Sequence, residues 1–190
     1  SVPFLLVWSH IFWRFLMTFI LDDITRTVQQ AVELLRELPV SLYVKFDAPA
    51  YESTIGAHLR HNIDHYHSFI EGVSNGKVDY DHRNRDQRLE TDIKSSIAVL
   101  GSVIANLSEM APESLEDRVL VRMDCGGDAV WSQSSVRREL QFLLSHTVHH
   151  YAIIAMICRL NGHQPSADFG VAPSTLKFRD SQQIPVPCAL

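Results

Sequence analysis

The residues best suited to chemistry fall in two short stretches. In SHTVHHYAIIAMICRLNG, residues 145–162, His146, His149 and His150 stand within an otherwise apolar, helical segment. His146 and His150 are four residues apart, so on a helix they stack on one face, a turn apart. Two imidazoles in that arrangement can grip one metal ion. Upstream, AHLRHNIDHYH contributes His58, His61, His65 and His67. On a helix, His58, His61 and His65 lie within about 60° of one another, so one or two can point at a shared centre. If the two stretches are facing helices, the chain builds a three-histidine metal site. A single helical histidine is usually only hydrogen-bonded or half-exposed. Burying two imidazoles without partners costs on the order of 1–3 kcal/mol each, which is why the clustering favours ligation.

The elements that must position these residues are helices. A first helix is predicted from about Asp22 to Leu38, with acidic residues at its start and Pro39 at its end. Ile24, Val28, Ala31, Leu34, Leu35 and Leu38 keep its period. Residues 39–51 form a connection. A second helix starts at Ser53 or Thr54 and runs to about Gly72, before the Asn75-Gly76 turn. Residues 77–88 are polar and read as a loop. A third helix runs from near Asp86 to Met110. Val119, Val121 and Met123 then alternate, Gly126-Gly127 permit a reversal, and Ala129 and Trp131 follow, which predicts a short β-hairpin. The fourth helix begins after Ser134 or Ser135 and ends at Asn161-Gly162. Residues 163–190 are predicted to be irregular and to wrap the surface. The expected fold is all-α: a four-helix bundle with a hairpin insert between helices three and four.

At 190 residues, with 46% hydrophobic and 21% charged residues, the chain has the composition of one globular domain. A net charge of −5 and a pI near 6.0 argue against a nucleic-acid partner, because no basic stripe is available to neutralise phosphates. Cys125, Cys158 and Cys188 are scattered, odd in number and free of any CxxC spacing, which fits free thiols in a reducing cytoplasm. Residues 2–21 are apolar enough to rival a membrane anchor, but Arg14 within them costs roughly 2.5–3.5 kcal/mol on insertion scales. The expected organisation is residues 1–16 as an extension outside the domain, 17–178 as the helical domain, and 179–190 as an irregular tail. The expected location is the cytoplasm, the rival being a membrane-anchored form.

AHLRHNIDHYHSFIEG and SHTVHHYAIIAMICRLNG together resemble the second helix and the ligand helix of the DinB/YfiT-like superfamily. ADFGVAPSTLKFRD resembles the tail of one bacterial subgroup. The resemblance covers about residues 20–178. It implies a DinB-like bundle with metal ligands at His61, His146 and His150. His65 is the main competitor of His61, and His65, His149 and Arg60 are candidates to support a ligand imidazole or touch substrate. Three neutral imidazoles leave open positions on an ion, as catalytic sites do. Zinc or nickel suits three nitrogens, with manganese or iron as alternatives.

The resemblance also implies activity on a small molecule. Family members include transferases that use low-molecular-weight thiols, and metal-dependent hydrolases. The leading expectation is therefore a metal-dependent S-transferase acting on small electrophiles. A hydrolase on the same site is the second, and a noncatalytic, metal-stabilised stress or dimerisation bundle is the third. Arg60, Arg83 and Arg85 could offer donors to a carboxylate-bearing thiol, although each also reads as solvated surface charge. No residue is assigned a catalytic role.

Overall fold

The computed structural model describes residues 3–46, 52–123 and 130–182, with side chains from Phe19 onward. Four helices carry the core: α1 (Pro3–Glu37), α3 (Ile55–Ser74), α4 (Ile93–Glu109) and α5 (Val136–Leu160), with the single turn α2 (Val40–Tyr43) after α1. α1 packs against α4 and α5, and α3 packs against the same two, which closes a four-helix bundle. Ile24, Val28, Leu59, Ile63, Phe69, Leu107, Leu140, Leu143 and Ile154 are fully buried at 0% exposure. Each contributes roughly 1.5–3 kcal/mol of burial against the entropy of ordering the chain.

The caps explain where the helices that matter begin. Thr54 accepts from the Ala57 N–H at 2.9 Å and starts α3. Ser135 accepts from the Arg138 N–H at 3.3 Å and starts α5, which closes at Asn161 with Gly162 at φ 75. α3 also comes very close to the chain before α4. A Cβ on Gly56 would stand 2.1 Å from the Glu90 carbonyl oxygen, so only glycine permits that approach.

Between α4 and α5 lies the predicted hairpin, β2 (Arg118–Arg122) against β3 (Ser132–Ser135), paired antiparallel with Val119 opposite Ser134. Its return strand comes later than Ala129 and Trp131 suggest, and the Gly126-Gly127 reversal and Cys125 lie outside the described residues. A third strand, β1 (Lys77–Asp79), joins β2 in parallel register, Val78 opposite Val121. This corrects the reading of residue 77 onward as loop. The pairing carries the chain into the site: the Tyr80 N–H donates to the Arg122 carbonyl at 2.9 Å, one residue beyond β1.

Three other boundaries differ from expectation. α1 begins at Pro3 and passes Asp22 without a break, because Asp23 sits mid-helix and pairs with Arg26 at 2.6 Å, an i, i+3 contact that supports a helix interior. α4 begins at Ile93 and not near Asp86. Asp86 caps a separate 3₁₀ turn, Gln87–Glu90, and Asp92 caps the helix itself. Residues 163–190 are not wholly irregular, since Pro173–Gln182 forms helix α6 with Pro173 at its first position. Lys177 donates to Asp23 at 2.8 Å and Gln30 donates to the Asp168 carbonyl at 3.3 Å, which lays this segment along α1. Before it, Phe169 stacks on Tyr151 of α5, ring centroids 4.8 Å apart and nearly parallel at 7°. Gly170, at φ 74, passes so close to Tyr151 and Ala152 that a Cβ would meet backbone at 2.7 Å.

Among the described residues no helix is long and apolar enough to cross a membrane. Pro185, Pro187 and Cys188 of the expected tail lie outside the described residues. Cys158 is a free, buried thiol in α5, pushed up to about 11 by burial, which suits a core residue.

Candidate metal centre

α3 and α5 face each other, and their histidines meet across the gap. The His61 and His146 Nε2 atoms are 3.1 Å apart. One helical turn away, the His58 and His150 Nδ1 atoms are 2.9 Å apart. His65 completes the group, its ring 4.5 Å from that of His61 and 4.2 Å from that of His146. His61, His65 and His146 each bring one ring nitrogen within 4.8 Å of the others. His150 lies on the other side of the same pair, its ring 4.7 Å from His61 and 4.6 Å from His146. His61 and His146 are thus common to the trio implied by resemblance and to the trio the geometry draws tightest.

All three predicted ligand positions therefore meet in one place, and His65 joins them as an equal. His149 is exposed and touches the group only through an edge contact with His150 at 5.1 Å. Arg60 turns away: its Nε donates to Glu90 and its Nη1 to Asp64, both at 2.7 Å. Asp64 is 2% exposed, so this pairing neutralises a buried carboxylate. His67 is half-buried and His82 exposed, and neither belongs to the group of close ring nitrogens among the described residues.

The electrostatics favour neutral rings. Burial, then the neighbouring imidazoles, lowers His61 to about 3 and His146 to about 2. His150 falls to about 4, from burial first and then from His58 and His149. His58 and His65 are lowered as well, chiefly by burial. Neutral imidazole is the form that ligates.

The donor set fits a divalent ion on two further grounds. Two nitrogens sharing one ion at about 2.0–2.1 Å in tetrahedral geometry stand about 3.3–3.4 Å apart, close to the 3.1 Å between His61 and His146. The His65 Nδ1–H donates to the His61 carbonyl at 2.8 Å, which leaves Nε2 as the bare ligand nitrogen. The Nδ1 of His146 is buried with no hydrogen-bond partner, so this ring lacks the acceptor that His65 has in the His61 carbonyl.

Sequence reasoning passed over the wall of the site. Tyr80 stacks on His65 at 5.4 Å, Phe142 stacks on His146 at 5.6 Å, and the two aromatic rings touch at 5.2 Å. The Tyr80 hydroxyl is buried near the Glu139 carboxylate but outside good hydrogen-bond geometry. Burial and that carboxylate hold its proton on far beyond the usual range. Glu139, 6% exposed, accepts from the Ser134 hydroxyl at 2.5 Å. Phe142 carried a signal in hindsight, four residues before His146 on the same face. Tyr80 carried none, since its place depends on the parallel pairing of β1.

Of three comparisons with known proteins, one identifies a family. FK506-binding protein 5 of Rhizopus delemar is 31% identical over 108 residues, which cover 55% of this chain and 28% of that protein. The match thus spans little more than a quarter of that relative, and the ligand in its name is said of that protein. No solved structure matches the chain. The family model of the DinB superfamily matches residues 23–154, a span that holds all the clustered histidines and most of the bundle, and the chain belongs to that superfamily.

Proposed function

We propose that the protein is a metal-dependent thiol transferase acting on small electrophiles, with the ion held by His61 and His146 and a third imidazole. The resemblance gives His150 as the third and the geometry favours His65. The observation that carries the reading is a cluster of neutral imidazoles with no carboxylate in it. An ion held there keeps its full charge and favours an anionic ligand such as a thiolate. The chain's own groups do the rest. Tyr80 and Phe142 form an apolar wall that keeps water from one side of the rings. The His65 bond to the His61 carbonyl fixes ring orientation before any ligand arrives.

The test is metal analysis of the purified protein, followed by a panel of cellular thiols with an electrophilic acceptor. The expected result is that protein, metal and thiol together consume the acceptor faster than any two of them, and that His146→Ala abolishes the gain. Ester or amide cleavage without thiol would instead support a hydrolase. Bound metal with neither activity would support a noncatalytic bundle.

A further inference from the structure

The loop after β1 brings a guanidinium to the histidines. Arg83 is partly buried, and its Nη1 stands 3.4 Å from His61 Nδ1, a long contact. Its Nε is buried with no hydrogen-bond partner. Arg60 differs in kind, being committed to Asp64 and Glu90. Among the described residues Arg83 makes no ion pair, although a buried guanidinium edge normally has one.

The loop is built to present it. The Asp79 carboxylate accepts from the Asp81 N–H at 3.1 Å and the His82 N–H at 3.2 Å, and it pairs with Arg122. Arg85 adopts φ 53, a left-handed conformation that a non-glycine residue holds at a cost.

His61 adds the second half. When Nε2 is its ligand atom, Nδ1 carries the proton and needs an acceptor. Arg83 cannot be that acceptor, because a guanidinium has donors only. Two donors then stand 3.4 Å apart, and a carboxylate oxygen seated beside both would accept from each.

We propose that Arg83, together with the Nδ1–H of His61, receives a carboxylate of the ligand, so that the site selects carboxylate-bearing small molecules, the thiol first among them. The choice of the thiol rests on the transferase reading above; the carboxylate receptor does not. A charge-assisted, forked contact of this kind gives about a tenfold preference or more.

The experiment measures binding by calorimetry to the metal-loaded protein with three probes: 3-mercaptopropionate, 2-mercaptoethanol and propionate. The wild-type protein should bind 3-mercaptopropionate about tenfold more tightly than 2-mercaptoethanol. Arg83→Gln should bring that ratio close to one, with metal content, circular dichroism and 2-mercaptoethanol affinity unchanged. Arg83→Lys should keep part of the preference, and Arg85→Gln should keep all of it. A wild-type ratio near one, a ratio that survives Arg83→Gln, or no binding of any probe overturns the assignment. If 3-mercaptopropionate binds no better than propionate while both depend on Arg83, the receptor stands and the transferase reading fails.

Discussion

His61 and His146 bring their Nε2 atoms to 3.1 Å although they come from different helices. In the metal-free protein one neutral ring can donate to the other across this distance, and an ion held by both Nε2 atoms would take the place of that hydrogen bond. Either residue changed to alanine should therefore remove most of the bound metal, read by elemental analysis after dialysis. His65→Ala and His150→Ala assign the third ligand, since loss of the true ligand should weaken affinity more than the roughly 10- to 100-fold that loss of a supporting residue costs. Exposed His82→Ala should change nothing. Full occupancy and affinity in His146→Ala would remove the site as described.

The depressed histidines predict how stability depends on pH. In the unfolded chain these rings titrate near 6.5; in the fold His61, His146 and His150 titrate at about 3, 2 and 4. Between those values the unfolded state binds more protons, so stability rises with pH. It is fully present above about pH 6.5 and is lost as the pH falls toward the folded values. Each ring contributes at most about 1.4 kcal/mol per pH unit, and less here because the rings are partly exposed. The urea midpoint of the metal-free protein should drop between about pH 7.5 and pH 5. His61→Asn should flatten that slope. A midpoint that rises on acidification would contradict the burial of neutral rings.

Arg60 has a structural task, so its loss should be felt in folding before metal binding. Arg60→Gln leaves the Asp64 carboxylate, 2% exposed, without its cation. The expected cost is about 2 kcal/mol in a denaturation curve, with metal affinity within a few-fold of the parent. Unchanged stability with lost metal would return Arg60 to the site.

Gly170→Ala should destabilise the fold by about 1–3 kcal/mol. The substitution places a Cβ 2.7 Å from the backbone of Tyr151 and Ala152 at a φ of 74. Thermal melting reads the effect. A melting temperature equal to the parent's would show that residues 169–170 do not hold to α5 in solution.

The parts of this architecture legible in the sequence are those with a local cause. Ser135 and Asn161-Gly162 bracket α5 because caps are local chemistry, and the spacing of His146 and His150 needs only a helix. Other parts had no local cause to read. β1 is three residues long and pairs in parallel with a strand some forty residues later, so no periodicity betrays it. β3 reads SQSS, with no apolar alternation. α6 buries no residue and shows no stripe. Asp86 and Asp92 are both good caps, and only the packed structure assigns one to a 3₁₀ turn and the other to α4. The meeting of His58 with His150 depends on how α3 and α5 are turned toward each other, and that of Arg83 with His61 on where β1 delivers the loop that follows it.

The buried face of α5 sets that turning, and the stack of Phe169 on Tyr151 adds a hold from outside the bundle. Adjacent residues on a helix differ in azimuth by about 100°, so fixing the direction of Tyr151 also fixes that of His150 before it and His146 a turn earlier. The chain after α5 folds back and clamps the helix at the residue next to a candidate ligand, setting the aim of the imidazoles without touching them. Loosening this clamp would leave α5 intact as a helix but free to roll, and a roll of even a fraction of one residue would carry its histidines out of range of their partners on α3.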